Sequence, residues 1–595
     1  MALDSPVLAL DRPFDYRIPD RMTGRVRPGC VVRVPLHGRR VRAFVTELLE
    51  SPEVPDPKPL SSLVSEQPVF APPEIELARW QARRYVATLG QVLHQAVPGR
   101  LSAPALTADP KAPAPATPEA DPGLQWLEEP GAMARAVGER GRLVVVAAGG
   151  AVEAEVVRAA VRSGGRTLVI APRAAMVESI AASLPGCAVI HGDQKPADRA
   201  RSWARARDGD AEVVVGGRAA LLVPMPGLTT VVVAACHDRS LKEERTPRYH
   251  GLVVAARRAQ QQAAAFVAVS PAPPLELQGD WSWPRRRPAA VRPEVAGMRS
   301  GPVTPRLQEV VRSAISRGSD ALVFAGRRGI ALRLRCRDCG WYPRCAACAV
   351  ALTVVTAGSG DLRCRSCGTD SPAPSACGEC GGLRLDGRGW GSDRVADELE
   401  QSDPGAPVLR VHAQSPLPRR RPSPAVIVGT AAAVWALYGR TVGAACVADL
   451  DQMLGRPDFR AGERALALLE EMASLLEPQG RFLVQTREPE HHAVQAFTRR
   501  SYRYFADREL PHRTAAGYPP YCALVHVEAD PSELAGLPAL LGTAASQVVG
   551  PLPRPGGRAG SLVRAPDVEP LLGPLREFAR LHPGARIDVD PVDVL

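Results

Sequence analysis

Lysine is nearly missing from these 595 residues: of 74 basic side chains, only Lys58, Lys111, Lys195 and Lys242 are lysine. They stand in DPKPL, DPKAP, DQKPA and SLKEE, and none follows a glycine-rich turn. A phosphate-cradling P-loop needs a lysine followed by Ser or Thr at such a turn, so the chain lacks the usual equipment of a nucleotide-driven motor. Also lacking is any run of about 18 apolar residues free of charges and breakers, which excludes a membrane-spanning helix. The opening MALDSPVLALDRPFDY carries Asp4 and Asp11 and no basic stretch, so it does not read as a secretory leader. A cytoplasmic protein with no membrane partner is expected.

What is abundant is positive charge in the form of arginine. The formal net charge is +11, and a surplus of that size favours acidic partners, nucleic acid foremost. A GC-rich genome explains arginine over lysine. It does not explain the excess over acids.

Thirteen cysteines occur, and eight of them crowd into CRDC (336–339), CAAC (345–348), CRSC (364–367) and CGEC (377–380). Disulfides are not expected in a cytosolic chain. A Cys-x-x-Cys turn presents two thiolates to one side of a metal, and two turns complete a tetrahedron. Eight sulfurs therefore make two closed four-cysteine zinc sites, with no open position at which water could be activated. Three pairings of the turns are possible. The segment AVALTVVTAGSGDLR between Cys348 and Cys364 reads as a hairpin, which favours Cys345, Cys348, Cys364 and Cys367 on one zinc and Cys336, Cys339, Cys377 and Cys380 on the other. Cys30, Cys187, Cys236, Cys446 and Cys522 are isolated in apolar surroundings and read as buried small hydrophobes.

The periodicity divides the chain into an α/β multidomain protein. Residues 1–104 alternate apolar and polar in short runs (CVVRVPL, VRAFVTELL), which predicts a β-rich domain followed by a helix near 76–95. Residues 105–123 are a Pro/Ala-rich linker. In 124–295, the runs LVVVAA, TLVIAP, AEVVVGG and TTVVVAA alternate with helical stretches, the mark of a buried parallel sheet with crossover helices. Residues 296–504 hold a second such lobe (ALVFAG, PAVIVGT, ACVADL) with the cysteine-rich insertion at 334–383. Residues 505–595 mix strands and helices as an α+β domain. Two tandem α/β lobes suggest a nucleic-acid translocase, yet the turn after LVVVAA has Gly149 and Gly150 and then Glu153 where a phosphate site needs positive charge.

At this level of detail the chain resembles the bacterial replication-restart family PriA, also called primosomal protein N-prime, over nearly its whole length. The resemblance rests on RPFDYRIP with GCVVRVPLHGRRVRAFV, on HGDQKPADRARSWARARDGDAEVVVGGRAALLVPMPGL, on PRYH (247–250), on GRRG with the eight-cysteine block, and on ADLDQMLGRPDFRAGER, RTAAGYPPY and RIDVDP. It implies an N-terminal domain that grips DNA 3′ ends, two RecA-like helicase lobes, and the nested zinc pairing. It also implies a surface held by zinc for partners such as single-strand-binding protein. The departures are as informative. The family's P-loop Lys and Thr fall on Glu153 and Ala154. Its acidic Walker B run falls on Ala234, Ala235, Cys236, His237 and Asp238. Two arginines of a second-lobe motif fall on Leu475 and Pro478, and a lysine after Gly429-Thr430 falls on Trp435. The short spacing before the first lobe implies that the family's winged-helix domain is missing or reduced. Phosphoryl transfer depends on positioned positive charge, so both lobes are expected to be degenerate, without ATP hydrolysis.

By the same resemblance, Phe14 and Asp15 match the pocket for a terminal base, with Tyr16 beside them. An aromatic can stack on a base and a carboxylate can bond its edge; the alternative is that Phe14 and Tyr16 serve the core. Arg39 and Arg40 sit at a predicted hairpin turn within reach of phosphates. The PRRRP clusters at 284–288 and 418–422 and RRSYRYF (499–505) fit loops and helix packing as well as DNA. For His237 and Asp238 a buried hydrogen bond between the two is expected rather than catalysis. The leading expectation is a non-motor protein that binds forked and single-stranded DNA, including 3′ ends, and works with primosome proteins and the replicative helicase or its loader. The competing readings are an ATP-dependent helicase with a displaced nucleotide site and a zinc-ribbon DNA-binding regulator.

Overall fold

The computed structural model describes residues 1–593 apart from 53, 66, 100–126, 128, 130, 148–150, 279–280, 283–292, 298–300, 327–332, 337, 340, 348–350, 355–360, 365–366, 389–390 and 457. Several features read from the sequence lie outside the described residues: the linker 105–123, Gly149 and Gly150, the basic cluster 284–288, most of the GRRG at 326–329, and Cys348. The stretch 100–126, where a winged-helix domain would begin, also lies outside them.

Strands β1 (Ala2–Leu3), β2 (Val31–Leu36), β3 (Arg39–Phe44) and β4 (Ser62–Leu63) pair antiparallel in the order β1-β3-β2-β4. The β2–β3 connection is the two-residue turn His37-Gly38, with φ of 47° and 77°. Left-handed conformation at both central positions matches the twist of the flanking strands. Val32 and Val34 point inward while Arg33 faces water. Where one helix was expected at 76–95, there are two, Pro72–Arg84 and Leu89–Ala96. Val86 takes φ 48°, and Thr88 with Gln91 forms a capping box that starts the second helix. This unit is bolted to the next by Trp203 Nε1, which donates to Val69 O at 2.8 Å. A buried pair, Arg258 with Glu74 at 3.1 Å, adds to the joint. Arg258 also donates to the carbonyls of Leu221 and Val223, the extra bonds a buried charge requires.

The first lobe is a seven-stranded sheet of β5 (Arg142–Val146), β6 (Arg166–Ile170), β7 (Ala188–Ile190), β8 (Val213–Gly216), β9 (Leu228–Val233), β10 (Ala265–Ser270) and β11 (Trp281–Ser282), in the order β11-β5-β10-β9-β6-β8-β7. Every pairing is parallel. Helices cover both faces, which is why the strands read as continuous valine runs. The second lobe begins with β12 (Glu294–Gly297) and β13 (Ala321–Phe324). The cysteine-rich insertion follows, with β14 (Arg333–Cys336), β15 (Thr353–Val354), β16 (Asp361–Arg363), β17 (Asp370–Pro372) and β18 (Leu385–Arg388). The lobe resumes with β19 (Val408–Val411), β20 (Val426–Gly429), β21 (Val442–Val447) and β22 (Leu476–Thr486), giving a parallel sheet β12-β22-β21-β13-β20-β19.

Helix Tyr502–Ala516 packs on this second lobe: Tyr502, Phe505 and Ala506 join its core. The border read at 505 therefore falls inside an element that belongs with the lobe before it. The last sheet, β23 (Ala523–Ala529), β24 (Gln547–Pro553), β25 (Ala559–Ala565) and β26 (Arg586–Val589), is antiparallel, ordered β24-β25-β23-β26. Helix Glu569–Leu581 contributes Leu571, Leu572, Leu575 and Phe578 to the same core. Arg84 ties this unit back to the N-terminal helices through Asp590 at 2.9 Å. Among the described residues no helix is long and apolar enough to cross a membrane.

Candidate nucleic-acid interface and metal centres

The cysteine-rich insertion stands on the antiparallel pair β14–β18, which brings both ends of the segment together. Cys336 ends β14, and the sulfurs of Cys336, Cys339, Cys377 and Cys380 all lie within 4.8 Å of one another. Cys336 and Cys380 Sγ are 3.6 Å apart, and Cys339 and Cys377 Sγ 3.5 Å. Sulfurs around a tetrahedral metal with bonds of about 2.3 Å stand about 3.8 Å apart, so the set fits a closed four-thiolate centre. Backbone N–H groups of Asp338 and Glu379 point at Cys336 and Cys377 Sγ, each at 3.4 Å. Burial raises the Cys377 thiol, but backbone bonds from Cys380 and Glu379 outweigh it and leave it at about 7.

The second cluster joins Cys345, Cys364 and Cys367, with Cys345 and Cys367 Sγ at 3.5 Å. The antiparallel pair β15–β16 sets it up, matching Thr353 with Arg363 and Val354 with Leu362. Burial raises Cys367, yet hydrogen bonds from the Thr369 side chain and backbone bring it down to about 6. Cys348, the fourth donor read from the sequence, lies outside the described residues. Of the isolated cysteines, Cys30, Cys236 and Cys446 are buried as expected, whereas Cys187 and Cys522 are only half-buried. The Cys522 thiol donates to Gly517 O at 2.9 Å, a polar contact that holds it at the surface.

In the N-terminal unit, Phe14 is pinned to the chain start. The Met1 amine donates to Phe14 O at 3.0 Å and the Phe14 N–H to Met1 O at 3.2 Å. Burial holds that amine below its ordinary value, while the Asp15 carboxylate pulls it back up. Phe14 and Tyr16 are half-buried against the β1–β3 core, and the Arg12 guanidinium lies 5.1 Å from the Phe14 ring centre. Tyr16 Oη donates to Pro35 O at 3.2 Å, and Pro35 pairs with Arg40 across the hairpin. Tyr16 thus reaches the strand pair that carries Arg39 and Arg40, while Phe14 and Asp15 stand against the chain start. The two arginines are exposed and begin β3; the turn itself is His37-Gly38.

The basic clusters separate. Arg421 is buried against Asp320, so it serves the second lobe, while Arg419 and Arg420 are exposed. In 499–505, Tyr502 and Phe505 are core, and Tyr504 is sandwiched by Arg499 and Arg508 at 4.6 and 3.5 Å from its ring centre.

The expected His237–Asp238 hydrogen bond does not form. Asp238 caps the turn Arg239–Leu241, accepting from Ser240 N and Oγ at 2.8 Å, and also pairs with Arg173. That local capping turns its carboxylate away from His237. His237 Nε2 instead donates to Glu471 Oε1 of the second lobe at 3.0 Å, and its Nδ1 lies 2.8 Å from Ser270 Oγ.

Sequence reading did not find a cleft of about 760 Å³ between the N-terminal unit and the first lobe, lined by His94, Arg173, His191, Arg199, Arg218 and Arg245 among others. Its arginines are scattered over four elements and come together only in the fold. Asp4, Asp193 and Glu243 also line it; Asp4 pairs with Arg42 and Glu243 with Arg218 and Arg245. Arg245 is 87% exposed, and among the described residues Arg199 reaches only Gly192 O, at 3.5 Å, so both can meet an anion.

Residues 1–98 match the family model described as the 3′DNA-binding domain (3′BD). The chain is 31% identical over 621 residues to the probable replication restart protein PriA of Mycobacterium bovis, covering 96% of this chain and 93% of that protein. It is 28% identical over 407 residues to the replication restart protein PriA of Bacillus subtilis, where 62% of this chain matches half of the relative's length. Among solved structures, RecG bound to a three-way DNA junction aligns with a TM-score of 0.38 and 13% identity, over 64% of this chain and 46% of that one.

Proposed function

Because the chain belongs to the PriA replication restart family, we propose that it recognises branched or stalled forks without turning over ATP. In this reading it holds DNA 3′ ends in its N-terminal unit and promotes reloading of the replicative helicase. The observation that carries the non-motor part is Glu153. It occupies the first turn of the helix after β5 and is 2% exposed, where a nucleotide site needs a lysine.

The match of residues 1–98 to a 3′DNA-binding domain supports the DNA reading. Phe14 stacks on the terminal base, Asp15 bonds its edge with Tyr16 beside it, and Arg39 and Arg40 meet the adjoining phosphates. The arginine cleft then receives the strand leading away, through sequence-independent phosphate contacts. The two cysteine clusters each hold one zinc, Cys348 completing the second set. Such closed sites stabilise a small fold and leave no position for catalysis. They support a surface for single-strand-binding protein and the helicase loader.

Two measurements on purified protein test this. Fork DNA should give no stimulated ATP hydrolysis; robust turnover rejects the non-motor reading. Forks ending in a 3′-hydroxyl should bind more tightly than forks with a blocked end at fixed salt, and Phe14→Ala should abolish the difference. Equal affinity for fork and plain duplex would point to a general DNA-binding regulator instead.

A further inference from the structure

The cleft between the two parallel sheets is filled by the protein itself. In parallel α/β sheets, ligands bind beyond the carboxyl ends of the strands, and the helix that follows such a strand offers an anion its N-terminal N–H groups. Here the helix Ala151–Ser163, following β5, carries Glu153 in that first turn, and its Oε1 is buried without a hydrogen-bond partner among the described residues. From the end of β9 come His237 and Asp238, and from β10 Ser270. Arg173 follows β6.

The second lobe meets them directly. Glu471, on helix Ala461–Ser474, accepts from His237 and from the Trp435 indole. Arg173, paired with Asp238, lies 3.6 Å from the Trp435 ring centre. The cross-lobe contacts thus form two parallel lines, Ser270–His237–Glu471 and Asp238–Arg173–Trp435. A third joint lies nearby, where Tyr502 Oη donates to Pro273 O. The carboxylates Asp238 and Glu471, with the buried Glu153 carboxyl between them and the strand ends, stand where a polyphosphate would sit and supply no positive charge to hold one.

The first line has the connectivity of a nucleophilic triad, but it does not act as one. Ser270 is fully buried and its Oγ already accepts the Ala272 N–H at 3.0 Å.

We propose that these residues form a built-in latch: His237–Glu471 and Arg173–Trp435 hold the two lobes at one fixed angle with no nucleotide present, so the relation between the arginine cleft on the first lobe and the cysteine-rich insertion of the second is preset. The inference rests on the reading that this cleft takes no ATP. In motor proteins a ligand sets the angle between two lobes; here the side chains do.

Hydrogen exchange on the full-length, zinc-loaded chain tests the latch. Glu471→Ala is expected to speed exchange about tenfold in 231–241 and 431–438, since exchange reports local opening, while 523–529 and 559–565 in the last sheet stay unchanged. Trp435→Leu, which removes the stack and the indole's bond to Glu471 but leaves His237–Glu471, should act on the same segments, which keeps the test decisive if Glu471→Ala does not fold. Magnesium ATP added to the wild type should leave these segments as they are. Unaltered exchange in both variants, or protection by ATP in the wild type, overturns the latch. ATP hydrolysis on the same samples separates the two ideas: turnover rejects the non-motor reading, whereas unaltered exchange without turnover rejects the latch alone.

Discussion

Glu153 offers the sharpest perturbation, because its cost can be calculated. Burial raises its carboxyl to about 8, with Glu471 and Asp238 adding to the rise and His237 and Arg173 opposing it. The ordinary value is 4.5. The folded protein therefore holds a proton on Glu153 at neutral pH that the unfolded chain has released. A raised carboxyl contributes stability that falls as pH rises between the two values, by about 1.4 kcal/mol per pH unit. At pH 7 the accumulated penalty is about 3 kcal/mol. Glu153→Gln keeps the shape and cannot ionise, so it removes that penalty. Scanning calorimetry of wild type and variant at steps from about pH 5 to about pH 8 reads the effect. The two should differ by under about 1 kcal/mol near pH 5 and diverge as pH rises, the variant being the more stable. His237, held above its usual value by Glu471 against the burial that lowers it, adds a slope of the same sign; Glu153 contributes to that rise, so this coupling stays in the difference. A variant less stable than wild type, or a difference that does not change with pH, would falsify the protonated, buried Glu153.

Other consequences follow from the same contacts. Replacing Cys336 or Cys345 by Ser should each release about one zinc per chain, measured by elemental analysis; unchanged metal content contradicts the two-site arrangement. Arg199→Ala with Arg245→Ala should weaken fork binding uniformly across sequences and lower the slope of log affinity against log salt by about 1.5, and an unchanged slope removes the cleft from the DNA path. Asp320→Ala strands Arg421, both side chains being 8% exposed; the expected loss is about 3–5 kcal/mol by calorimetry, and a loss under about 1 kcal/mol would mean that Arg421 swings into water.

The sequence was most legible where chemistry is local. Cys-x-x-Cys turns carry their own geometry, so the clusters at 336–339 with 377–380 and at 345 with 364–367 could be read before any fold was known. The valine runs of β5, β6, β8 and β9 were equally plain, because a strand covered on both faces must be apolar at every position. Legibility failed where a residue's meaning depends on a distant partner. Val86, in an otherwise helical pattern, breaks the helix only because Thr88 and Gln91 cap the next one. His237 and Asp238 are adjacent in the chain, yet each bonds elsewhere, one to Glu471 and the other to Arg173. The arginine cleft assembles residues 173, 199, 218 and 245 from separate connections, and no periodicity marks them.

The way the cleft is filled bears on what the lobes are for. Leucine and valine would fill it at lower cost, since removing His237, Glu471, Asp238 and Arg173 from water carries a desolvation penalty that their pairing only offsets. Apolar contact specifies proximity and lets two surfaces slide. A hydrogen bond from His237 Nε2 to Glu471 Oε1, together with a guanidinium centred over the Trp435 ring, specifies an angle. The cluster therefore suits an assembly in which the angle between lobes matters more than the strength of their attachment. A platform that must present DNA and a partner protein in one fixed relation has that requirement, and a motor that must change the angle at every turnover does not.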